Sequence, residues 1–406
     1  MAKRILVVSQ HFWPESFRIN DICDGFLEKG YEIEVLCGIP NYPAGQFFDG
    51  YGIFNNRRQV KEGIKIRRCF EIKRGNNSNI RIFLNYISFP ISSIFSLPYL
   101  MKQKYDKIFL YNTSPVMMAI AGILLGKMKK IETTMYVLDL WPENLYSVLK
   151  IKNKILRKML YRISTWYYKK TDKLIANAQK LRTILLERTL KSENKITYIP
   201  QFCEKIFESV TADDEIINRY SESFNLVFTG NISPAQSFET VINAALILKE
   251  KEYTDIKWII IGDGMSKLWL ENEVQNKGLS DYFTFIGRIP INEIPKYTYI
   301  ADGLFACLKK SELLDCTLPA KVFSYYAAKR PLILAMDGEI QQVIKESKAG
   351  FAVDSEDSNA FADAVMQLYD LPKEERINMG EAAKEYYFEH FERNKNMDKL
   401  IGFIES

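Results

Sequence analysis

Short apolar strands alternate with helical patterns along this chain, and the alternation begins twice. In the first half the strand-like segments are RILVVSQ, EIEVLCG, KIFLYNT, TTMYVLDLW and KLIANAQ. The pattern restarts after YIPQFCEKIFESV, with strands at NLVFTG, KWIIIGDG, FTFIGR, GLFACL and PLILAM. Strands that alternate with helices form parallel sheets covered by helices. The 406 residues therefore predict two α/β domains, each doubly wound, with ligands at the carboxyl ends of the strands.

The first helix of this pattern is predicted in SFRINDICDGFLEKG. Ser16 has the side chain of an N-cap, and Gly30 suits the position just after the last turn. Between them, Ile19, Ile22 and Phe26 recur at helical spacing and form a buried stripe.

The cysteines and the apolar stretches bear on the cellular compartment. The six cysteines have no CxxC pairing and lie mostly in apolar runs, which is typical of buried free thiols and indicates the cytoplasm. The N-terminal apolar run is too short for a signal peptide. The longest apolar stretches are interrupted by Pro90, Pro98 and Pro115, so we expect no transmembrane helix.

Charge is divided unevenly along the chain. Residues 1–200 hold 33 Lys and Arg against 16 Asp and Glu, whereas the remainder holds 22 against 34. No nucleic-acid recognition motif accompanies the basic half, so nucleic acid is not the expected partner. Basic residues alternate with apolar and aromatic ones in KNKILRKMLYRISTWYYKKTDK, which suits an anionic membrane surface better than nucleic acid. A solvated helix packed on the sheet by one apolar stripe is the open alternative.

Two loops after strands of the second half have the composition of nucleotide-binding loops. In TGNISPAQ, Gly230 ends the strand, Pro234 suits the first helical position, and Ser233 with Gln236 forms a capping box or contacts a ligand. Asn231 lies where free helix N–H groups suit a phosphate. The second loop, GDG, contributes Gly262 and Gly264 and is equally common as a plain turn.

The order of motifs resembles one enzyme family. FTGNISPAQSFETVINAA, IIGDG, FIGRIPINEIPKYTYIAD, LPAKVFSYYAAKRPLI and DGEIQQVIKESKAGFAVDSED are similar to the donor domain of family 4 retaining glycosyltransferases. SQHFWPESFRINDICDGFLEKGYEIEVL, GIPNYPAGQ and LDLWPENL resemble the branch that builds O-antigen and capsular polysaccharides, including N-acetylfucosamine transferases.

The resemblance implies the GT-B fold, two Rossmann-like domains facing a central cleft. The expected divisions are an acceptor-binding domain at 1–200, a nucleotide-sugar-binding domain at 201–375, and a C-terminal helix in 376–406 that packs back toward the first domain. It also implies a UDP-sugar donor, a polyprenyl-diphosphate-linked glycan acceptor, and no cofactor or metal. Such an enzyme is expected in the cytoplasm, peripheral on the inner face of the membrane.

The resemblance assigns the donor site to the second domain. The family's pattern of two Glu residues and a Gly before the closing Pro falls here on Cys316, Ser324 and Lys329. Ser324 would then replace the Glu that holds the ribose. Lys321 shares a helix face with Ser324, and its charge would stabilise the diphosphate leaving group unless it is a solvated helix lysine. Further donor contacts are expected from Gly230, Asn231, Gln236, Gly262, Gly264, Arg288 and Ile289.

The acceptor site is expected in loops of the first domain. Asp139, after a buried strand in YVLDLWPENL, would orient the acceptor hydroxyl or steady charge on the sugar ring; its structural alternative is to cap the helix after Pro142. Further acceptor contacts are expected from His11, Arg18, Asn41, Tyr42 and Glu143. Two histidines and no convincing DxD pair predict transfer without a metal.

Two other functions fit parts of this pattern. A nucleotide-sugar epimerase shares the two-domain fold, but it calls for a site rich in histidine and carboxylates. A non-catalytic partner that retains the fold would explain Cys316 and Ser324 at the positions of the family's two glutamates. Turnover of a UDP-sugar separates the enzyme from the partner.

Overall fold

The structure is a computed structural model that describes residues 2–75, 78–143, 145–146, 151, 153–209, 212–311, 316 and 318–406. The chain forms two compact units. Unit 1 comprises Met1–Ile199 together with Asn394–Ser406, and unit 2 comprises Pro200–Arg393.

Unit 1 is built on an eight-stranded sheet in the order β3-β4-β2-β1-β5-β6-β7-β8. Only β3 runs antiparallel to its neighbour. The strands are β1 (Arg4–Val8), β2 (Glu32–Cys37), β3 (Arg58–Lys61), β4 (Ile64–Arg68), β5 (Lys107–Asn112), β6 (Thr133–Val137), β7 (Lys173–Ala176) and β8 (Ile196–Tyr198). The helices are α1 (Ile19–Glu28), α2 (Asn79–Ile94), α3 (Leu97–Lys102), α4 (Ile120–Lys129), α5 (Lys154–Lys170) and α6 (Gln179–Thr189).

Unit 2 is built on a six-stranded sheet in the order β11-β10-β9-β12-β13-β14, and all of its pairings are parallel. The strands are β9 (Phe224–Thr229), β10 (Ile256–Ile261), β11 (Phe283–Gly287), β12 (Gly303–Cys307), β13 (Leu332–Ala335) and β14 (Gly350–Val353). The helices are α7 (Asp214–Arg219), α8 (Phe238–Glu250), α9 (Lys267–Asn276), α10 (Ile294–Tyr299), α11 (Ala320–Ala327), α12 (Glu339–Ser347), α13 (Ser358–Asp370) and α14 (Lys373–Tyr386). The last helix, α15 (Arg393–Glu405), packs almost entirely in unit 1.

Both faces of the unit 2 sheet are covered, as its near-continuous apolar strands require. Successive residues of a strand point to opposite faces. Val227 and Ile259 accordingly join one buried cluster, and Phe228 and Trp258 join the other. These two cores fix the strands whose carboxyl ends carry the site described below.

Two details of the sequence prediction change in the structure, and a third is confirmed. Helix α1 begins at Ile19 with Arg18 at the N-cap, and Ser16 is exposed and does not cap it. Gly30, with φ of +83°, does follow the last turn as predicted. Residues 376–393 lie in unit 2, so only the final helix, and not the whole of 376–406, belongs with unit 1.

The expectation of no transmembrane helix stays a prediction. Residues Ile80–Lys102 form a helical stretch that is long and apolar enough, by length and composition, to cross a membrane. Pro90 lies inside α2 without ending it.

Candidate active site

The donor-site residues predicted from the sequence lie at the switch point of the unit 2 sheet. The strand order reverses between β9 and β12, which are neighbours. In open parallel sheets, ligands bind at this point, outside the carboxyl ends of the strands. Gly230 directly follows β9, and α11, which carries Lys321 and Ser324, follows β12 along the chain.

The TGN and GDG loops pack directly against each other at these strand ends. The Ile232 amide donates to the Asp263 carbonyl at 2.9 Å. A Cβ on Gly262 would lie 1.8 Å from the Gly230 carbonyl oxygen, and one on Gly264 would lie 2.4 Å from Asn231 Oδ1. Both glycines have positive φ. Glycine is therefore required at both positions by the close approach of the two loops.

Lys321 extends from α11 to the TGN loop. Its Nζ donates to Gln236 Oε1 at 2.5 Å and lies 3.8 Å from the centroid of the Phe228 ring. The end of the side chain also contacts Gly230, where an added Cβ would lie 3.4 Å from Nζ. Lys321 is half-buried, and these contacts argue against the solvated-lysine alternative.

Among the described residues, no carboxylate forms an ion pair with Lys321. Burial lowers the pKa of Lys321 to about 7, and the nearby Cys307 thiol opposes this only in part. An ammonium group in low dielectric beside a neutral amide and an aromatic face gains strongly from an incoming anion. The arrangement suits a phosphate group.

Helix α11 is fixed to the end of β9 by a buried side chain. Tyr325 Oη accepts a hydrogen bond of 2.9 Å from the Thr229 amide. This bond holds the turn of α11 that carries Ser324, which is itself buried. Cys316, also buried, precedes the helix. Both residues lie where the family resemblance places the donor ribose and sugar, and their roles there remain predictions.

The TGN loop does not begin its helix as predicted. Pro234–Gln236 form a short 3₁₀ turn, and α8 starts at Phe238 after Ser237, whose φ is +39°. The capping box of Ser233 and Gln236 is therefore wrong. Gln236 accepts from Lys321 instead, which favours the ligand-loop alternative. Arg288 is exposed and Ile289 half-buried just after β11.

Three of the acceptor-site residues predicted in unit 1, His11, Asn41 and Tyr42, surround a buried carboxylate. His11 Nδ1 lies 2.9 Å from Glu15 Oε2, and both side chains are almost fully buried. Glu15 Oε1 accepts from the Asn41 and Tyr42 amides, each at 2.7 Å. Glu15 therefore joins the loop after β1 to the loop after β2.

A second buried carboxylate, Glu71, supports the same loops. Its Oε1 accepts from Gln10 Nε2 at 2.8 Å, Asn85 Nδ2 at 2.5 Å and Asn41 Nδ2 at 3.2 Å. Its Oε2 is buried with no hydrogen-bond partner among the described residues. Burial raises the pKa of Glu71 to about 7, with His11 lowering it and Glu15 raising it further.

These carboxylates hold an aromatic surface in place. The rings of His11 and Phe17 stack with centroids 4.5 Å apart, and Tyr42 packs against Phe17 at 5.4 Å. The Arg74 guanidinium lies 5.0 Å from the centroid of the Tyr42 ring. Burial raises the pKa of Tyr42; Arg74 opposes the rise, and Asp139 is near enough to add to it. Rings beside a cation suit a sugar linked to phosphate.

The remaining predicted residues of unit 1 are Asp139, Glu143 and Arg18. Asp139 is half-buried after β6, and the segment after Pro142 that it would cap lies largely outside the described residues. Glu143 pairs with the buried Arg188 at 3.3 Å. Burial raises the pKa of Tyr136, and the nearby Arg18 guanidinium opposes that rise. Glu143 thus has a structural partner, and its acceptor role remains a prediction.

Sequence reasoning missed Glu15, Glu71, Asn85 and Tyr325. The carboxylates had a detectable signal, because each follows a strand and is flanked by apolar or aromatic residues, in FWPES and CFEIK. A lone acid in such a run is either paired when buried or functional. Tyr325 and Asn85 lie inside helical patterns and carry no comparable signal.

Comparison with known proteins relates the second half of the chain to one enzyme family. Residues 209–386 match the family model of glycosyl transferases group 1. A probable glycosyltransferase, WbjE of Pseudomonas aeruginosa, is 23% identical over 321 residues, which span 75% of this chain and 76% of that protein.

Solved structures share the fold along almost the whole chain. Sucrose-phosphate synthase from Thermosynechococcus elongatus superposes with a TM-score of 0.77 at 13% identity, covering 99% of this chain and 98% of that one. Anabaena HepE, in complex with UDP and glucose, gives a TM-score of 0.71 at 12% identity, covering 98% of each chain. These similarities establish the GT-B fold, with two Rossmann-like units.

Proposed function

We propose that this protein is a group 1 glycosyltransferase that moves a sugar from a UDP-sugar to a polyprenyl-diphosphate-linked glycan in the synthesis of a bacterial surface polysaccharide. The proposed donor sugar is of the N-acetylfucosamine or N-acetylhexosamine type, and the transfer retains the anomeric configuration. The observation that carries the proposal is the position of Lys321 against Gly230 and Gln236, at the switch point of the unit 2 sheet. HepE, which shares the fold, binds UDP and glucose.

In this proposal Lys321 supplies the charge that the leaving diphosphate needs. As the bond between the sugar and the diphosphate breaks, negative charge grows on the departing oxygen. A fixed ammonium near that oxygen stabilises the transition state more than the ground state. The TGN and GDG loops frame the nucleotide, and Ser324 holds the ribose. No metal is required, because the lysine takes its place as the counter-charge.

The acceptor side of the proposed reaction uses unit 1. Asp139 orients the acceptor hydroxyl and steadies the positive charge of an oxocarbenium-like transition state. Tyr42 and Phe17 offer rings on which a sugar packs, and Arg74 offers a cation for the diphosphate of the lipid carrier. Glu15 and Glu71 are positioning residues, since their contacts run to the loops and not to the surface.

We further propose that the protein is cytoplasmic and binds the inner face of an anionic membrane through its basic first half. Helix α5 is the predicted contact. Its first turns expose Ile155, Met159, Arg157 and Lys158, whereas Tyr167 and Tyr168 pack inward near its end. Basic residues attract anionic headgroups at about 1 kcal/mol each. Vesicle binding that weakens with salt and in an R157E/K158E/R162E variant is expected.

The experiment begins with thermal shifts of the purified protein in UDP-, GDP- and dTDP-sugars, since a ligand of the folded state raises the melting point. The best donor is then incubated with a membrane lipid extract, with and without a chelator. The expected result is transfer to the lipid fraction, unaffected by chelation, with the donor's anomeric configuration in the product. A donor that binds without turnover would indicate the non-catalytic partner, and an epimerised nucleotide sugar would indicate the epimerase.

A further inference from the structure

Helix α2 carries a row of apolar residues on its exposed face. Ile80 is 74% exposed, Ile91 53% and Phe95, directly after the helix, 79%. Phe83, Leu84 and Ile94 are also exposed. These positions recur at helical spacing, so they form one continuous stripe. Helices on the surface of a soluble unit normally turn such a stripe inward.

The polar face of the same helix is bonded into unit 1. Asn85 Nδ2 donates to Glu71 Oε1 at 2.5 Å and to the Ile72 carbonyl at 2.7 Å. Ser88 Oγ accepts from the Ile72 amide at 2.9 Å, and Ser92 Oγ donates to the Phe70 carbonyl at 2.5 Å. The orientation of α2 is therefore fixed by hydrogen bonds, and its apolar stripe has no alternative position within unit 1.

The charged residues of the segment that contains α2 are all basic, and the nearest carboxylate, Glu71, is buried against the polar face of the helix. Residues 72–105 contain five Lys and Arg and no Asp or Glu, and residues 82–101 contain no charged side chain. The basic residues therefore lie toward the two ends of the stripe, with Lys73, Arg74 and Arg81 near its start and Lys102 and Lys104 after it. An apolar stripe between cations complements a bilayer with anionic headgroups.

We infer that α2 lies in the interfacial region of an anionic phospholipid bilayer, with its apolar stripe among the acyl chains. The helix does not cross the bilayer, because crossing would break the bonds to Glu71 and to residues 70–72 and expose Asn85 and Ser88 to lipid. This inference deepens the proposed function, since it names the element that brings unit 1 to a lipid-linked acceptor.

The inference also locates the acceptor surface relative to the lipid. Arg74 Nε donates to Asn85 Oδ1 of α2 at 3.2 Å, and its guanidinium lies against both Tyr42 and Tyr86. An α2 buried to the depth of its stripe would hold Arg74 at the level of the headgroups. The diphosphate of a polyprenyl carrier lies at that same level.

A site-specific probe tests insertion directly. The variant F83C is labelled with an environment-sensitive nitrobenzoxadiazole dye, and L268C, exposed on α9 of unit 2, is the matched control. The native cysteines are buried and should label slowly. With vesicles of phosphatidylcholine and phosphatidylglycerol, the dye at position 83 should shift to the blue and be quenched by brominated acyl chains. The dye at position 268 should not change.

Partitioning supplies a second measurement. The variant F83Q/I91Q/F95Q should bind these vesicles at least about tenfold more weakly and lose the binding that persists in high salt, because apolar burial is not screened. The control M265Q/L268Q/W269Q changes three exposed apolar residues of unit 2 and should bind as the wild type does. The R157E/K158E/R162E variant should lose only the salt-sensitive part.

Three results would overturn the inference. A dye at position 83 that stays in water while the protein cosediments would place the contact elsewhere. Concentration-dependent self-association that buries position 83 would make α2 an interface between copies, and resistance to alkaline extraction would make it a spanning helix. Vesicle binding is measured without substrate, so a protein that inserts α2 but transfers no sugar contradicts the proposed function and leaves this inference intact.

Discussion

Lys321 differs from a surface lysine because its charge becomes favourable only when an anion arrives. With a pKa of about 7 in the free protein, it is largely neutral above that pH. A bound diphosphate raises its pKa, so binding above neutrality takes up a proton. UDP affinity should therefore fall by up to about tenfold per pH unit between about pH 7 and about pH 9. Calorimetry in buffers of different ionisation enthalpy measures both the affinity and the proton uptake.

Variants separate this effect from other titrations. K321R keeps its charge over this range, so its UDP affinity should vary little with pH. K321A should lower the rate of turnover, because loss of an oxyanion-binding group typically costs about 2 to 4 kcal/mol of transition-state stabilisation. K345A, which changes an exposed lysine of α12, should have no effect. Wild-type turnover in K321A would refute the role of Lys321.

Glu71 is expected to make the stability of unit 1 depend on pH. Its pKa rises from 4.5 unfolded to about 7 folded, so the folded state holds the proton to higher pH. The free energy of unfolding should fall as pH rises from about 4.5 to about 7, by on the order of 3 kcal/mol, and change little from this source above that. Chemical denaturation of wild type and E71Q measures the difference. The fall of the unfolding free energy with pH should be smaller in E71Q. It should be unchanged in the control E32Q, which alters an exposed glutamate.

The site residues predicted from the sequence are recognisable from their neighbours in the chain. Those that were missed owe their environment to residues distant in the chain. Lys321 was predicted because a helix start and its own charge are encoded nearby. Glu15 was missed because its burial depends on the amides of Asn41 and Tyr42, in another loop. The Gln236 capping box failed for the same reason, since Lys321, distant in sequence, competes for that side chain.

At the scale of elements, the buried parallel strands were the most predictable part of the fold. Strands such as β9 and β10 are covered on both faces and read as apolar runs. The hairpin of β3 and β4 was missed, because RQVK and IKIRR alternate charged residues with apolar ones at the edge of the sheet. The sequence also did not reveal that α2 exposes an apolar stripe. Periodicity identifies an apolar stripe but not the side that faces the core.

The end of α11 contains a residue in an unfavourable conformation. Lys329 has φ of +59°, at the position where the family pattern has glycine. A side chain in this region costs about 1 to 2 kcal/mol, and the exposed ion pair with Glu381 returns little of that.

K329G should therefore raise the free energy of unfolding by about 0.5 to 1 kcal/mol. K345G, inside α12, should lower it by about 1 kcal/mol, because glycine weakens a helix interior. Denaturant unfolding of both variants measures the two changes. Equal losses in both would show that Lys329 makes contacts that outweigh the strain.

At the scale of the whole molecule, the sequence predicted two units and their fold, but it placed the last boundary too early. The restart of the strand pattern marks the passage into unit 2 near residue 200. The return to unit 1 at Asn394 has no such marker, because α14 and α15 are successive helices with similar composition. Only the partners of each helix distinguish them.

Those partners make α15 part of the core of unit 1. Met397, Leu400 and Ile404 are each 1% exposed. Tyr31 Oη donates to Glu405 Oε1 at 2.9 Å, and the nearly buried Lys173 Nζ donates to the Phe403 carbonyl at 3.1 Å. Lys173 also pairs with Glu132 at 3.0 Å. Loss of α15 would leave an apolar surface and a buried ammonium with fewer acceptors.

Removal of residues 394–406 should therefore destabilise unit 1 and leave unit 2 folded. Three apolar side chains at about 1.5 to 3 kcal/mol each predict a loss on the order of 5 kcal/mol. Hydrogen exchange resolved by peptide should show lost protection in β1, β7 and α1 and wild-type protection in β9 and β10. If the truncated chain does not fold, the milder variant L400A should show the same pattern of lost protection. Its unit 1 should be destabilised by about 2 to 5 kcal/mol. Equal loss of protection in both units would mean that they unfold as one cooperative structure, against the division at residue 200.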